Sequence, residues 1–346
     1  MQIFLYEFVT GGGWYSVGQN WPPPSSLVRE GWAMLDALAE DFCNIDGVAV
    51  TVLRDVRSQP LATSTTEQHL VASAEDERDC FGKLAAAADW TIVVAPEIGG
   101  ALAERCYWVN QAGGRLLGPS ARAVEIASDK QQTAEWLAAH AIPTPHGIAL
   151  GPHCPLPLDF RYPAVLKPCD GAGSLGIRYL AADEVKNVIT GGGDWRLETF
   201  CPGVAASDAL LCGPRGTFAL APASQRLASD GSFAYLGGEL PLAEPLAARA
   251  VRLAKRAVDS LPQPLGYLGV DLVLGDDPNG RDDVVFEINP RLTTSYVGLR
   301  ALARCNLAAA MLAIAEGLEA PLCFDARPVK FDGSGNVFKG EEADVP

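Results

Sequence analysis

LGYLGVDLVLGDDPNGRDDVVFEINPRLTTSYVGLR, residues 265–300, decides the fold. Two apolar runs, Gly269–Leu274 and Val284–Ile288, flank Asp-Asp-Pro-Asn-Gly, so the stretch predicts a β-hairpin closed by a turn. Asp271 falls inside the first strand, and Glu287 and Asn289 end the second. Side chains two apart on a strand share a face, so Glu287 and Asn289 project together and pairing can bring Asp271 beside them. Two carboxylates and an amide oxygen on one face make a hard, oxygen-only site suited to Mg²⁺, completed by phosphate oxygens and water. Arg291 follows as a planar cation for a phosphate or carboxylate. Asp276, Asp277, Asp282 and Asp283 belong to the turn, where solvation is explanation enough. Asp271 and Glu287 sit in apolar runs, where a carboxylate needs a partner or a metal.

The rest of the chain sets bounds on what this hairpin can serve. Its 346 residues suit two or three domains, and 48% apolar residues supply a core. Asp+Glu number 42 against 27 Lys+Arg, a net charge of −15, which opposes a nucleic-acid partner. A nucleotide site needs only a few local cations and stays open. The nine cysteines show no C-x-x-C spacing and read as reduced, buried thiols of a cytoplasmic protein. Neither a signal peptide nor an apolar run of membrane-spanning length is visible, so no membrane partner is expected. His69, His140, His146 and His153 fall in loops or at helix ends and receive no role.

Ahead of the hairpin, strands at Gln2–Val9, Val48–Leu53 and Trp90–Ala95 alternate with helices, one over Ser25–Phe42 and one ending at Ala85–Asp89. This predicts a parallel, doubly wound sheet with ligands at the strands' carboxyl ends, where Thr10–Gly13 and Pro96-Glu97 lie. Gly11-Gly12-Gly13 is not G-x-G-x-x-G, and a loop closing over substrate, with Gly12 a candidate contact, fits better than a dinucleotide site. Glu97 reads equally as a contact for a substrate amine or as a cap for a helix over Ala101–Ala112. A short strand is expected at Leu116–Pro119 and a helix at Ser128–His140. Lys130 in the first turn opposes the helix dipole, which points to an anion facing it.

Tyr162–Cys169 then Asp170-Gly171-Ala172-Gly173-Ser174-Leu175-Gly176-Ile177 reads as strand, glycine-rich turn, strand. The glycines let backbone amides approach a phosphate, and Lys167 ends the first strand. The motif is no Walker loop, because GKS/T is absent and a strand follows; an ordinary mobile hairpin is the other reading. Further strands are expected at Arg196–Phe200, Ala205–Cys212, Thr217–Ala221 and Phe233–Gly237, with helices at Pro245–Ser260 and Asn306–Gly317. From Asp325 the chain turns polar and reads as irregular or as an edge addition.

The ordered set SDK, VLKP with DGAGSLGI, LETFCPG, GVDLVL and FEINPR resembles the ATP-grasp superfamily over about residues 120–317. The resemblance implies an α/β chain with α+β lobes: a Rossmann-like domain at 1–119, a small lobe at 120–200, a large lobe at 201–324 and a tail at 325–346. It implies ATP as ligand, with Mg²⁺ or Mn²⁺. Lys130 and Lys167 resemble the lysines on the α- and β-phosphates. Gly171, Gly173, Ser174 and Gly176 resemble the lid over the phosphates, and Glu198 with Phe200 the adenine hinge. Asp271, Glu287 and Asn289 resemble the metal ligands, and Arg291, with Lys167, the cations at the transferring phosphate. The ribose acid common after Pro-Gly is missing; Asp208, two or three residues late, is the substitute.

YEFVTGGG, VVAPE and NPRLTTSY are similar to a smaller branch containing the tyramine–glutamate ligases of methanofuran biosynthesis and related proteins of bacterial one-carbon metabolism. That resemblance implies a carboxylate–amine ligase working through an acyl phosphate, with Thr293, Thr294, Ser295 and Tyr296 at the substrate mouth. A helix N-cap is the other reading of the same four residues. The expected partners are small molecules and, as a homodimer, a second copy of the chain. A ligase for another amino-acid pair and a nucleotide-binding regulatory protein are the competing functions.

Overall fold

The computed structural model describes residues 1–17, 22–61, 63, 66–171, 174–185 and 188–339. Gly173 and the last residues of the tail lie outside them.

The chain opens with β1 (Gln2–Glu7), α1 (Ser25–Cys43), β2 (Ala49–Asp55), β3 (Glu67–Val71), α2 (Ala74–Ala87), β4 (Trp90–Val94) and α3 (Ala101–Gln111). The strands pair in parallel in the order β3-β2-β1-β4. Apolar runs such as Ile3–Tyr6 and Thr91–Val94 are buried along their length, because a parallel sheet is covered on both faces. β3 escaped the sequence reading, since EQHLV is an edge strand with only Val71 buried. Leu116 makes a single parallel bridge to Thr91 rather than the expected strand. The triple glycine is no loose loop: Gly13–Val17 form a 3₁₀ turn, and Gly11, Gly12 and Gly13 are all buried. A Cβ at Gly12 would lie 2.6 Å from Val71 Cγ2, and one at Gly13 would overlap the Phe8 ring.

Two helices follow, α4 (Ala121–Ser128) and α5 (Lys130–Ala139). The expected helix therefore starts two residues late, with Asp129 as N-cap accepting from Gln132 N at 2.8 Å. β5 (Gly147–Leu150), β6 (Ala164–Pro168), β7 (Arg178–Leu180) and β8 (Trp195–Thr199) form an antiparallel sheet ordered β5-β8-β6-β7. Its own small core is built on Leu166, Leu180 and Leu197.

The remaining strands build one larger sheet. In chain order these elements are β9 (Val204–Gly213), β10 (Gly216–Ala219), β11 (Ala223–Leu227), β12 (Tyr235–Leu240), α6 (Leu246–Asp259), β13 (Gly266–Leu274), β14 (Val284–Asn289), α7 (Ser295–Leu302), α8 (Leu307–Ala315), β15 (Val329–Phe331) and β16 (Val337–Lys339). The path is β14-β13-β9-β11-β12-β15-β16, with β10 on β9. The polar C-terminal stretch thus adds strands at the sheet edge. α4 and α5 pack on this sheet, sharing a core with Val270, Leu272 and Ile288, and not on the sheet of residues 147–199.

α1 belongs to two parts of the molecule. Leu35, Leu38 and Phe42 pack in one core with Ile3 and Val52 on one side and Leu211, Tyr296 and Met311 on the other. Asp41 locks that seam, accepting from the Tyr296 hydroxyl at 2.7 Å and from Arg300 Nη2 at 2.7 Å. The N-terminal half of α1, through Leu27, Glu30, Gly31 and Met34, walls one side of the cavity described next.

Candidate active site

Register decides what the hairpin presents. Asp271 pairs directly with Glu287, and Gly269 with Asn289. Leu268, Val270, Leu272 and Leu274 take the face toward α6, so Asp271 turns to the opposite face. There Asp271, Glu287, Asn289 and Arg291 line a cavity of about 540 Å³. Its walls come from all three sheets.

The acids are closely held. Asp271 Oδ1 accepts from Gln225 Nε2 at 2.8 Å and Oδ2 from Asn289 Nδ2 at 3.1 Å. Burial, then the neighbouring Glu287 charge, raises the Asp271 pKa to about 7. A cation placed between the two carboxylates would relieve that repulsion. Among the described residues no group of three or more His, Cys, Asp or Glu side chains is gathered to hold a metal. The donor set here is two carboxylates and an amide, which suits a hard cation that takes its other oxygens from phosphate and water.

The lysines meet these acids. Lys130 Nζ lies 3.1 Å from Glu287 Oε1 and donates to the Gly171 carbonyl at 3.0 Å. Burial works against its charge, but Glu287 and Glu97 outweigh burial and hold its pKa above the ordinary value. The Lys130 amide donates to the Cys169 carbonyl, tying the first turn of α5 to the glycine-rich turn. Lys167 pairs with Glu198, whose other oxygen accepts from Arg196 Nε at 2.9 Å. Gly171, Ser174, Glu198, Phe200 and Asp208 line the cavity with them. Gly176 does not; it holds φ at +78° against Pro168, a conformation that favours glycine. Phe200 stacks with Phe233 at 6.2 Å and meets Tyr179 edge-on, giving this end an aromatic floor. Asp208 is buried, and among the described residues neither of its carboxylate oxygens has a hydrogen-bond partner.

Several expectations change. Arg291 grips Glu97 with two hydrogen bonds of 2.9 and 2.8 Å, so Glu97 caps no helix and instead joins the leading sheet to the hairpin. Asp283 is buried, not solvated, and pairs with Arg249 of α6 while accepting from Gly275 N at 3.0 Å. Thr294 is the N-cap of α7 by position but makes no side-chain cap bond. Thr293, Thr294 and Ser295 do line the cavity, and Tyr267 holds Thr293 and Ser295 at 2.9 and 3.1 Å. Tyr296 is turned away to Asp41, and Gly12 packs against Val71 and Glu77; neither lines the cavity. All nine cysteines are free, with Cys106, Cys169 and Cys212 buried but Cys323 exposed.

Other lining residues were not anticipated: Glu7, Glu30, Gly31, Met34, Gln225 and Tyr235. Glu30 and Gly31 interrupt the apolar face of α1 between Leu27 and Met34, which was the available signal. Gln225 had none, because β11 was not expected.

Known proteins share this arrangement. Residues 127–295 match the ATP-grasp domain family and residues 48–124 the pre ATP-grasp 3 domain family. An ATP-grasp superfamily protein from Archaeoglobus fulgidus superposes with a TM-score of 0.70 at 24% identity, covering 100% of this chain and 95% of that one. The ADP complex of an N5-carboxyaminoimidazole ribonucleotide synthetase gives 0.70 at 17% identity, covering 95% and 80%. The tyramine–L-glutamate ligase of Methanocaldococcus jannaschii is 25% identical over 335 residues, 95% of this chain and 93% of its own. That of Methanocaldococcus fervens is 23% identical over 304 residues, 86% and 89%.

Fold and site together define an ATP-grasp enzyme: residues 127–295 carry the match to the ATP-grasp domain family, and residues 48–124 the match to the pre ATP-grasp domain that leads it. More particularly, it is an ATP-dependent carboxylate–amine ligase that resembles the tyramine–L-glutamate ligases.

Proposed function

We propose that the enzyme joins glutamate to an aromatic amine of the tyramine or tyrosine type, in the synthesis of a methanofuran- or methylofuran-like cofactor. The observation that carries this reading is the cavity itself. It brings Asp271, Glu287, Asn289, Lys130 and Lys167 together with residues of the leading domain, over a chain aligned nearly end to end with two tyramine–L-glutamate ligases.

Adenine would lie on the Phe200–Phe233 end with Glu198 at the hinge. Asp208 pairs with Val270 and so turns toward α6, which takes its carboxylate away from the ribose role expected of it. Lys130 and Lys167 would leave their acid partners for the phosphates, and Gly171–Gly176 would close above them. Asp271, Glu287 and Asn289 would hold Mg²⁺, which when bound supplies positive charge to the phosphate oxygens. A carboxylate oxygen of glutamate attacks the γ-phosphorus and the bond to ADP breaks, leaving an acyl phosphate. Lys130, Lys167 and Arg291 offset the charge on the moving phosphoryl group. The amine nitrogen, having lost a proton, attacks the acyl carbon; the carbon–oxygen bond breaks and phosphate leaves. Closure over the site keeps water from the acyl phosphate.

Purified protein with Mg-ATP should release ADP only when glutamate and a suitable aromatic amine are both present, with the amide seen by mass spectrometry. ADP release with a different carboxylate–amine pair alone would replace these substrates. ATP binding without turnover on any pair would favour a regulatory protein.

A further inference from the structure

We propose that the α1 wall of the cavity is the subsite for the acceptor amine, and that Glu30 selects an acceptor carrying positive charge. This inference rests on the ligase reading above and adds the group that recognises its second substrate.

Leu27, Glu30, Gly31 and Met34 are spaced i, i+3, i+4, i+7, so they form one stripe of α1, and all of them line the cavity. The stripe is apolar at both ends with a carboxylate in the middle. Glu30 is half-buried, and among the described residues its carboxylate makes no hydrogen bond or ion pair. Burial raises its pKa, against the pull of Arg291 and Arg29. A carboxylate on such a wall without a partner is costly, and a ligand cation removes the cost.

The neighbours sharpen the sign. Glu7 is buried beside it, fixed by Val9 N at 3.1 Å and by the Thr10 amide and hydroxyl at 2.7 Å each. Gly31 makes room for Glu7, since a Cβ there would lie 2.6 Å from the Glu7 carboxyl carbon. Arg291 is the cation facing this end, and Glu97 already holds one edge of it with both carboxylate oxygens. Three carboxylates therefore face one engaged guanidinium, which repels a second anion and fits an ammonium. Leu27, Met34, Val9 and Val94 supply apolar surface for the body of the acceptor, and methionine adapts to an aromatic ring. Tyr235, which lines the same cavity, lies within electrostatic reach of both Glu30 and Asp271, so this wall is close to the proposed reacting centre.

The test uses the full chain with tyramine as the amine probe, Mg-ATP and L-glutamate. In Glu30→Gln the KM for tyramine should rise about tenfold or more, while the KM values for ATP and glutamate hold within about twofold, as expected for loss of one charged hydrogen bond. Glu30→Asp should fall between the two. Tyrosol, in which a hydroxyl replaces the ammonium, should inhibit wild type and Glu30→Gln equally. An unchanged tyramine KM in a Glu30→Gln protein that melts like wild type overturns the inference, and so does an equal loss of tyrosol inhibition. If wild type gives no ADP with tyramine and glutamate, the substrate proposal fails separately. Calorimetric titration of tyramine then decides the subsite: binding weakened about tenfold by Glu30→Gln supports it, and equal or absent binding overturns it.

Discussion

Lys130 Nζ lies 3.1 Å from Glu287 Oε1, so a candidate phosphate contact and a candidate metal ligand hold each other across the cavity. Each satisfies the other's charge inside a wall that would otherwise strand both. Nucleotide and metal would exchange this pair for two stronger ones. Glu287→Ala is therefore expected to lower turnover by roughly a thousandfold, by loss of charge stabilisation at the phosphoryl group. ADP release measures it, and circular dichroism should show an unchanged fold. An active Glu287→Ala enzyme would contradict the metal assignment.

Arg291 presents a fork to Glu97 that a lysine cannot reproduce. Arg291→Lys should lower kcat/KM for the carboxylate substrate by roughly tenfold to a hundredfold, the worth of a charge-assisted bidentate contact. Steady-state kinetics with glutamate varied is the measurement. Equal efficiency in the two proteins would remove Arg291 from the phosphoryl and carboxylate end.

Asp208 gives a pH signature. Burial holds its pKa well above the ordinary carboxylate value, so the unfolded chain releases this proton at lower pH than the folded one. Wild type therefore loses stability as pH rises from the unfolded value through the folded one. An asparagine in its place would have no proton to release. Asp208→Asn should match wild type in acid and gain on it as pH rises, by roughly 1–3 kcal/mol near neutrality. Urea unfolding across that range checks this; parallel curves for the two proteins would show that Asp208 is ionised when folded.

Asp283 anchors the hairpin turn to α6 through Arg249. Asp283→Ala leaves a buried guanidinium unpaired and should destabilise the chain by about 3 kcal/mol. Chemical denaturation reads the loss. A shift within a few tenths of a kcal/mol would mean that water reaches Arg249.

Much of this was legible in the chain because the signals are local. The period-2 runs around Asp271 and Glu287 specify strand and facing side, and Asp-Asp-Pro-Asn-Gly specifies the turn; β13 and β14 pair with those two acids opposite each other. The Lys130, Lys167 and glycine-turn elements are likewise short motifs whose backbone consequences follow from residue type. β3 and β11 were not legible, since their sequences lack a strong period and their form depends on the strands they pair with. α4 carried a local signal that the reading passed over, an amphipathic run behind the Ser120 cap. Asp283 was misjudged because its partner lies 34 residues away on a helix face. The Arg291 partner of Glu97 was out of reach for the same reason, being 194 residues distant.

By itself, then, the amino-acid order determined the hairpin, its metal-suited face, the glycine-rich turn and the parallel leading sheet, since each depends on periodicity and backbone preference within a few residues. Only the tertiary structure decided that α1 walls the cavity, that Glu7 and Glu30 face into it, that Tyr296 and Gly12 do not, and that each lysine is paired with an acid. Those outcomes depend on which surfaces bury each other, and burial between distant segments follows from the shape of the assembled chain.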